Sequence, residues 1–327
     1  MKLEEIGFHS LTDERAINIS ATSRLWRACF LVTGRCNFLC PYCVGLKTDS
    51  DMKLDFFLEI LKGMSKPPHS LKTIRFSGGE PTIHKDIVEM ISLSKTANVE
   101  RIGMSTNGFA DKELYAAIVD AGVNDFSISF DADNELLGDE LTGGIKGAWK
   151  KVISNISYLA SRTYVILGIT IGAYNADKMP EIVSFADSLG VADMKVSTDA
   201  SWNKPIPRLD EVKDEILARH PVLKYRIEHF KKGRNVRGLR LGIDCSNCPL
   251  VMDDIIVVGE HHFPCLVYAR EKGKPIGEMT SDLARVREER KEWGTKKDTF
   301  SDFICRNYCM DIFIDCNNRI NQLQAEK

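Results

Sequence analysis

Nine of the ten cysteines fall into two groups, and their spacing is the strongest chemical signal in the chain. Cys36, Cys40 and Cys43 form a C-x3-C-x2-C pattern within Thr33-Gly34-Arg35-Cys36-Asn37-Phe38-Leu39-Cys40-Pro41-Tyr42-Cys43. Three thiolates this close can wrap one metal centre. A [4Fe–4S] cube takes four ligands, so three cysteines leave one iron free for a substrate or cofactor to chelate. A zinc ion would want a fourth Cys or His nearby, and none occurs between Val44 and Pro67. Structural core thiols would need an apolar element, whereas this segment contains Gly, Asn and Pro.

The second group is Cys245-x2-Cys248-x16-Cys265 followed by Cys305-x3-Cys309-x6-Cys316. No cysteine lies between Cys43 and Cys245, so the chain divides into a front cluster, a cysteine-free body and a cysteine-rich tail. The apolar run Ile255 to Val258, then Gly259 and His261-His262-Phe263-Pro264, suggests a hairpin whose two ends carry Cys248 and Cys265. Two cysteine pairs far apart in sequence could also make a four-thiolate zinc site. His261 and His262 are possible ligands, though a His beside such a loop is more often a hydrogen-bonding neighbour. Cys29, inside an apolar run, reads as a small core residue.

These groups need elements to position them. Apolar runs suited to buried parallel strands are Ala28 to Val32, Thr73 to Phe76, Ile102 to Ser105, Phe126 to Phe130, Tyr164 to Ile171 and Asp193 to Val196. Helical patterns lie between them, at Asp86 to Thr96, Lys112 to Ala121, Ala148 to Leu159 and Pro180 to Leu189. Six βα units build an open doubly wound sheet or a complete or partial barrel, and periodicity alone does not choose. Either way, ligands sit at the C-terminal ends of the strands.

At those ends the chain resembles the radical S-adenosylmethionine (SAM) superfamily. The resemblance runs from about Trp26 to Ala200 and starts with the three cysteines and Tyr42, the aromatic residue before the third. After the second strand, Ser77-Gly78-Gly79-Glu80-Pro81-Thr82 is similar to the family's Gly-Gly-Glu-Pro segment, where the Glu carboxylate and nearby carbonyls can accept from the SAM ammonium. Asn107 follows the third strand. Ser127, Ser129 and Asp131 alternate on the fourth, so they share one face, and similar polar residues in the family contact the SAM ribose or carboxylate. Asn175 stands where an acid is common, and Gly143 where many relatives carry an Arg that pairs with the SAM carboxylate. The resemblance implies an α/β fold, a partial (β/α)6 TIM-like barrel, and reductive cleavage of SAM to a 5′-deoxyadenosyl radical that abstracts a hydrogen atom from a substrate. An external one-electron reductant of flavodoxin or ferredoxin type is implied as partner.

The tail resembles the SPASM and twitch auxiliary-cluster regions of the same superfamily. It lacks the middle cysteine pair of a full SPASM domain, which implies one auxiliary [4Fe–4S] cluster rather than two. Cys245, Cys248, Cys265, Cys305, Cys309 and Cys316 are all candidate ligands; Cys248 and Cys265 with two of the terminal three are favoured. Four segments are expected: an N-terminal extension over 1–24, the barrel over 25–200, a basic helical connection over 201–240 and the small cysteine-rich domain over 241–327.

Composition narrows the function. The 327 residues are 43% hydrophobic and 28% charged, a soluble globular balance, and 44 basic against 46 acidic residues give no argument for a nucleic-acid or membrane-surface protein. No signal peptide follows Met1-Lys2-Leu3-Glu4-Glu5, and the uncharged run Thr163 to Ala176 is short of the ~18 to 20 residues of a spanning helix. A cytoplasmic protein with reduced thiols is expected. Lys224 to Arg240 carries seven cations against Glu228, either a solvated helix face or a site for an acidic partner. The substrate expected first is a peptide or protein side chain. A small sugar, aminoglycoside precursor or nucleotide comes second, and a non-enzymatic iron–sulfur or zinc protein third.

Overall fold

The computed structural model describes residues 12–45, 47–67, 71–202 and 204–327. Residues 1–11, on which the reading of the N-terminus rests, lie outside them. Nine strands make one open sheet: β1 (Arg27–Thr33), β2 (Thr73–Gly78), β3 (Arg101–Thr106), β4 (Asp125–Ser129), β5 (Tyr164–Ile171), β6 (Asp193–Thr198), β7 (Asp254–Val258), β8 (His261–Phe263) and β9 (Gly277–Glu278). Their order is β6-β5-β4-β3-β2-β1-β7-β8-β9. The first six are parallel neighbours, which is the expected partial barrel. Among the described residues no helix is long and apolar enough to cross a membrane.

The strands match the apolar runs within one or two residues at each end. β4 starts and ends one residue earlier than expected, at Asp125. A charge at a buried strand start is tolerable because Arg75 (2.5 Å) and Arg101 (2.8 Å) both reach its carboxylate. Along β5 burial alternates strictly, one face packing against helices and the other turned to the barrel interior. The packed faces of β1 to β7 and helices such as Leu54–Met64 and Met179–Ser188 form the main apolar core.

The tail hairpin is present, and it joins the barrel's own sheet. β7 pairs parallel with β1 from Arg27↔Asp254 to Leu31↔Val258, and β8 folds back antiparallel on β7. A second core lies beneath, where Ala16 and Ile19 of the N-terminal extension meet Leu250, Ile312 and Ile320. The basic run is not one solvated face. Arg226 pairs with Asp311 in full burial and Arg234 with Asp315, tying the helix Pro221–Lys231 and the turn after it to the terminal helix Asp311–Ala325, while Arg240 pairs with Asp244 and Lys231 with Asp210.

Arg290, on the helix Leu283–Lys296, has no solvent exposure. Its guanidinium donates to the carbonyls of Val251 (2.8 Å), Phe263 (2.9 Å) and Asp254 (2.6 Å), and to His262 Nδ1 (3.2 Å). One planar fork thus holds the segments that carry Cys248 and Cys265. Arg290→Met should lower stability by about 3 kcal/mol or more, because it strands buried carbonyls. Arg290→Lys should recover little of it. Urea unfolding of both variants checks this, and a loss under about 1 kcal/mol would mean that water takes over the carbonyls.

Candidate active site

The cysteine loop leaves β1 at Thr33 and is pinned by backbone. Gly79 N–H donates to the Thr33 carbonyl (2.7 Å) and Glu80 N–H to the Arg35 carbonyl (2.8 Å). A Cβ on Gly78 would lie 2.2 Å from the Thr33 carbonyl oxygen, and one on Gly79 2.0 Å from that of Arg35. Both glycines are therefore required by the close approach of two main chains, with Gly78 also at φ +141°. On the loop, Phe38 N–H donates to the Cys36 sulfur (3.4 Å) and Gly45 N–H to the Cys43 sulfur (3.3 Å).

The Glu80 carboxylate has different partners from the ammonium expected for it. It is fully buried and accepts from Thr82 N–H (3.1 Å), the Thr82 hydroxyl (2.7 Å), the Thr106 hydroxyl (2.7 Å) and Asn107 N–H (2.7 Å). Burial raises its pKa, and those hydrogen bonds partly offset the rise. Pro81 opens the short 3-10 turn that follows. Asn107 then reaches across to Asn37 Oδ1 (2.7 Å). Glu80 and Asn107 thus position the loop from below.

Tyr42 donates its hydroxyl to Asp131, whose other oxygen takes the Thr170 N–H (2.5 Å). Tyr174 stacks on Tyr42 with centroids 5.2 Å apart. Asn175 is buried and donates to the Asp131 and Thr170 carbonyls, both at 2.9 Å. Burial pushes the Asp131 carboxyl up to about 6, only partly countered by Thr170 and Tyr42. Gly143, at φ +96°, packs its Cα face against Leu39, where a Cβ would come within 2.8 Å of the Leu39 Cβ. No Arg side chain could start there. Lys47 is the lining cation on the loop side of the cavity described next.

A cavity of about 420 Å³ opens beneath the loop. Cys36, Cys40, Cys43 and Tyr42 line it with Gly78, Gly79, Asn107, Ser127, Ser129 and Asp131, so most of the expected SAM contacts share one space; Glu80 and Pro81 lie behind its wall. It continues through the barrel interior past Lys195 and Ser197 of β6 to Arg237, Arg270, Glu271 and Phe313. Val267 and Phe313 also wall a second, smaller cavity lined by Cys245, Cys248, Cys265, Cys305 and Cys309. The two thiol sets stand at opposite ends of the β1–β7 pair, since Cys36 follows the end of β1 and Cys248 precedes the start of β7. Seven residues of β1 put them roughly 20 Å apart along the strands.

Burial first, then the nearness of Cys248, Cys265, Cys305 and Cys245, raises the Cys309 thiol, so these sulfurs sense one another. Asn317 donates to the Cys248 sulfur (3.3 Å) and Tyr268 N–H to that of Cys265 (3.3 Å). Cys316 is set apart. It is fully buried among Ile312, Ile320 and Leu250 and does not line the thiol cavity, because it sits on the inner face of the terminal helix. His262 is buried between Glu289 (3.0 Å) and Arg290 and is no ligand; burial and Arg290 hold it down to about 4, so its ring is neutral. Zinc would draw four sulfurs to within about 4 Å of one another. Among the described residues no three His, Cys, Asp or Glu side chains converge on one ion position. The five thiols around this one cavity suffice in number for a four-iron cube, which takes four ligands.

Sequence reasoning missed Lys195 and Arg270, and it singled out Arg237 only as one of the seven cations of the basic run, for which an acidic partner was one of two readings. A signal existed for Lys195, a charge alternating with Ser197 inside a strand otherwise read as apolar. Arg270 carried none, since nothing local distinguishes it from neighbours that pair.

Because Asp131 binds its proton more tightly when folded than in the unfolded chain, its contribution to stability falls as pH rises from about 4 to about 6. Asp131→Asn should remove that slope, by at most about 3 kcal/mol across the window, in urea unfolding of the cofactor-free chain. Equal slopes in both proteins would mean that the carboxylate is solvated.

The description "Radical SAM superfamily" matches residues 30–186. The chain is 28% identical over 166 residues to the "Probable GTP 3',8-cyclase" of Sulfolobus acidocaldarius, covering 50% of this chain and 52% of that protein. It is 26% identical over 236 residues to the protein of the same name from Metallosphaera sedula, covering 66% and 74%. The chain thus spans about half the length of the first of these relatives. Among solved structures, "Native anSMEcpe with bound AdoMet and Cp18Cys peptide" shares the fold at TM-score 0.58 and 14% identity, covering 93% of this chain and 97% of that one. Streptococcus suis SuiB does so at TM-score 0.59 and 15% identity, covering 84% and 67%. With the cysteine loop, the Gly-Gly-Glu turn and the open parallel barrel in place, the chain carries a radical SAM domain over residues 30–186.

Proposed function

We propose that this chain is a radical SAM enzyme with one auxiliary [4Fe–4S] cluster, acting on a small substrate of the nucleotide class held inside the barrel. The observation that carries the reading is the single cavity running from Cys36, Cys40 and Cys43 to the wall of the tail thiol site. Bound SAM and its cluster supply one-electron cleavage of the S–C5′ bond, giving a 5′-deoxyadenosyl radical.

The chain's own residues do the rest. Cys36, Cys40 and Cys43 would hold a [4Fe–4S] cluster through three of its irons, leaving one for SAM. Gly78 and Gly79 present backbone beside it, and Lys47 offers the SAM carboxylate the cation that Gly143 cannot. Ser127, Ser129, Asn107 and Asp131 present polar groups to the ribose, with Tyr42 fixing the Asp131 orientation. Phe38, Leu141 and Val152 supply apolar wall that keeps water from the reacting centre. Cys248, Cys265, Cys305 and Cys309 are the four auxiliary ligands, with Cys245 at the rim and Cys316 in the core. Held there, an auxiliary cluster would supply either an anchoring iron or an electron acceptor for the substrate, and a flavodoxin or ferredoxin type donor would supply the electron for the SAM cluster.

A nucleotide replaces the peptide as first choice because the relatives above carry GTP 3',8-cyclase names. SuiB has been seen with a precursor peptide, yet its likeness to this chain is one of fold.

Anaerobically reconstituted protein should hold about eight irons, as two four-iron cubes, and form 5′-deoxyadenosine from SAM under reducing conditions. Changing Cys36, Cys40 and Cys43 together to Ala should leave about four irons and no product. Cys316→Ala should keep about eight, whereas changing Cys248 and Cys309 together to Ala should leave about four. Zinc retained in the tail, with about four irons in the unmodified protein, would remove the auxiliary cluster from the reading.

A further inference from the structure

The deep end of the cavity holds three cations that the reading above does not use. Lys195 projects from β6 into the barrel interior, Arg237 follows the helix Pro221–Lys231, and Arg270 ends the helix Leu266–Arg270 that begins after Cys265. The backbone bridge between Arg237 and Met310, and the hydrogen bond from Gly238 N–H to the Cys309 carbonyl (2.9 Å), place Arg237 next to the auxiliary thiols.

What separates these three from the other inward cations is their lack of partners. Arg226, Arg234 and Arg240 have carboxylates, and Arg290 has carbonyls. Lys195, Arg237 and Arg270 make no side-chain hydrogen bond or ion pair among the described residues, and Arg237 Nε is buried without an acceptor. Partly buried charges without counter-charges are costly unless something bound supplies them. Burial, and then Arg226 and Arg75, pull the Lys195 ammonium down to about 8, a cost that an anion in the cavity would reverse. Two acids share this end of the cavity. Asp199 is engaged by the N–H (2.7 Å) and hydroxyl (2.6 Å) of Ser201. Glu271 lies within Coulombic reach of Arg237 but makes no ion pair with it, and its Oε1 is buried without a donor. Three cations against these two leave the end net positive, with an acceptor beside it.

We propose that Lys195, Arg237 and Arg270 form an oxyanion site for the phosphate of a small phosphorylated substrate, holding it against the auxiliary cluster wall. Two guanidinium forks and an ammonium match phosphate oxygens. The Glu271 carboxylate then takes an N–H or O–H from the body of the same molecule, whose reacting carbon points back toward Cys36, Cys40 and Cys43. This inference rests on the reading of the cavity as a radical SAM substrate site and deepens it.

Binding to the reconstituted holoenzyme, measured by titration calorimetry in the absence of reductant, tests the anion site apart from SAM cleavage. The probes are GTP, guanosine, inorganic triphosphate and tricarballylate. GTP should bind at least tenfold tighter than guanosine, inorganic triphosphate should compete with it, and tricarballylate should compete at least tenfold less well. Arg237→Gln and Arg270→Gln should each weaken GTP about tenfold, compared at equal iron content. GTP no tighter than guanosine, or tricarballylate as good as triphosphate, would overturn the proposal on the unmodified protein alone. Undiminished GTP binding in both variants would do so as well. Failure to form 5′-deoxyadenosine would instead count against the radical SAM reading, with the calorimetry unaffected.

Discussion

The parallel pairing of β7 with β1 is the constraint on which the rest depends. β1 already pairs with β2 inside the barrel, so accepting β7 on its other edge makes the barrel and the tail one sheet. A parallel neighbour starts at the same end as β1. The loop before β7 and the turn after β8 therefore fall at the N-terminal ends of the strands, while the loop after β1 falls at the C-terminal ends. Cys36, Cys40 and Cys43 are committed to one end, and Cys248 and Cys265 to the other, by strand direction alone, and the barrel interior becomes the space between. The same pairing covers what would otherwise be an open edge beside the site.

Buried polar groups then fix each end, and in both cases they act on main chain. At the top, the Glu80 carboxylate gathers Thr82, Thr106 and Asn107, so the loops after β2 and β3 move as one body with the cysteine loop. At the bottom, the Arg290 guanidinium gathers carbonyls from Val251 ahead of β7, from the first residue of β7 and from the last of β8. Neither group is exposed to the cavity, and both have hydrogen bonds enough to compensate for their desolvation. Metal ligands on loops need such support, because the loops themselves bury little apolar surface.

Much of the barrel was legible because each strand is a short apolar run bounded by turn residues, and parallel strands buried by helices must read that way. The front site was legible for a related reason: Cys36, Cys40, Cys43 and Gly78-Gly79-Glu80 are contiguous motifs, and strand direction brings them together. The role of Glu80 was not, since a carboxylate facing a ligand and one facing its own backbone look alike in sequence. In the tail, five thiols meet through contacts across some sixty residues, from Cys245 to Cys309, and spacing carries no record of which face of the terminal helix Cys316 occupies. The basic run failed as a unit because its members part company in space, Arg226 pairing with Asp311 while Arg237 turns to the cavity.

That parting states a physical rule for sorting the cations of this interior. A guanidinium wholly removed from solvent survives only with acceptors in place, and Arg226, Arg287 and Arg290, the three largest fully buried side chains, all have them. Arg75 and Arg101 meet the same demand by sharing Asp125 near the base of the barrel. Lys195, Arg237 and Arg270 do not meet it, and all three are only partly buried because the cavity reaches them. Fold stability gives no reason to hold three unpaired cations together. Replacing them with apolar residues would relieve repulsion and desolvation alike. Their position, between the tail thiol cavity and the polar strand ends beneath the cysteine loop, is where the proposed substrate would have to lie. The structural cations are those whose acceptors belong to the chain, and the functional ones are those whose acceptors must arrive from outside.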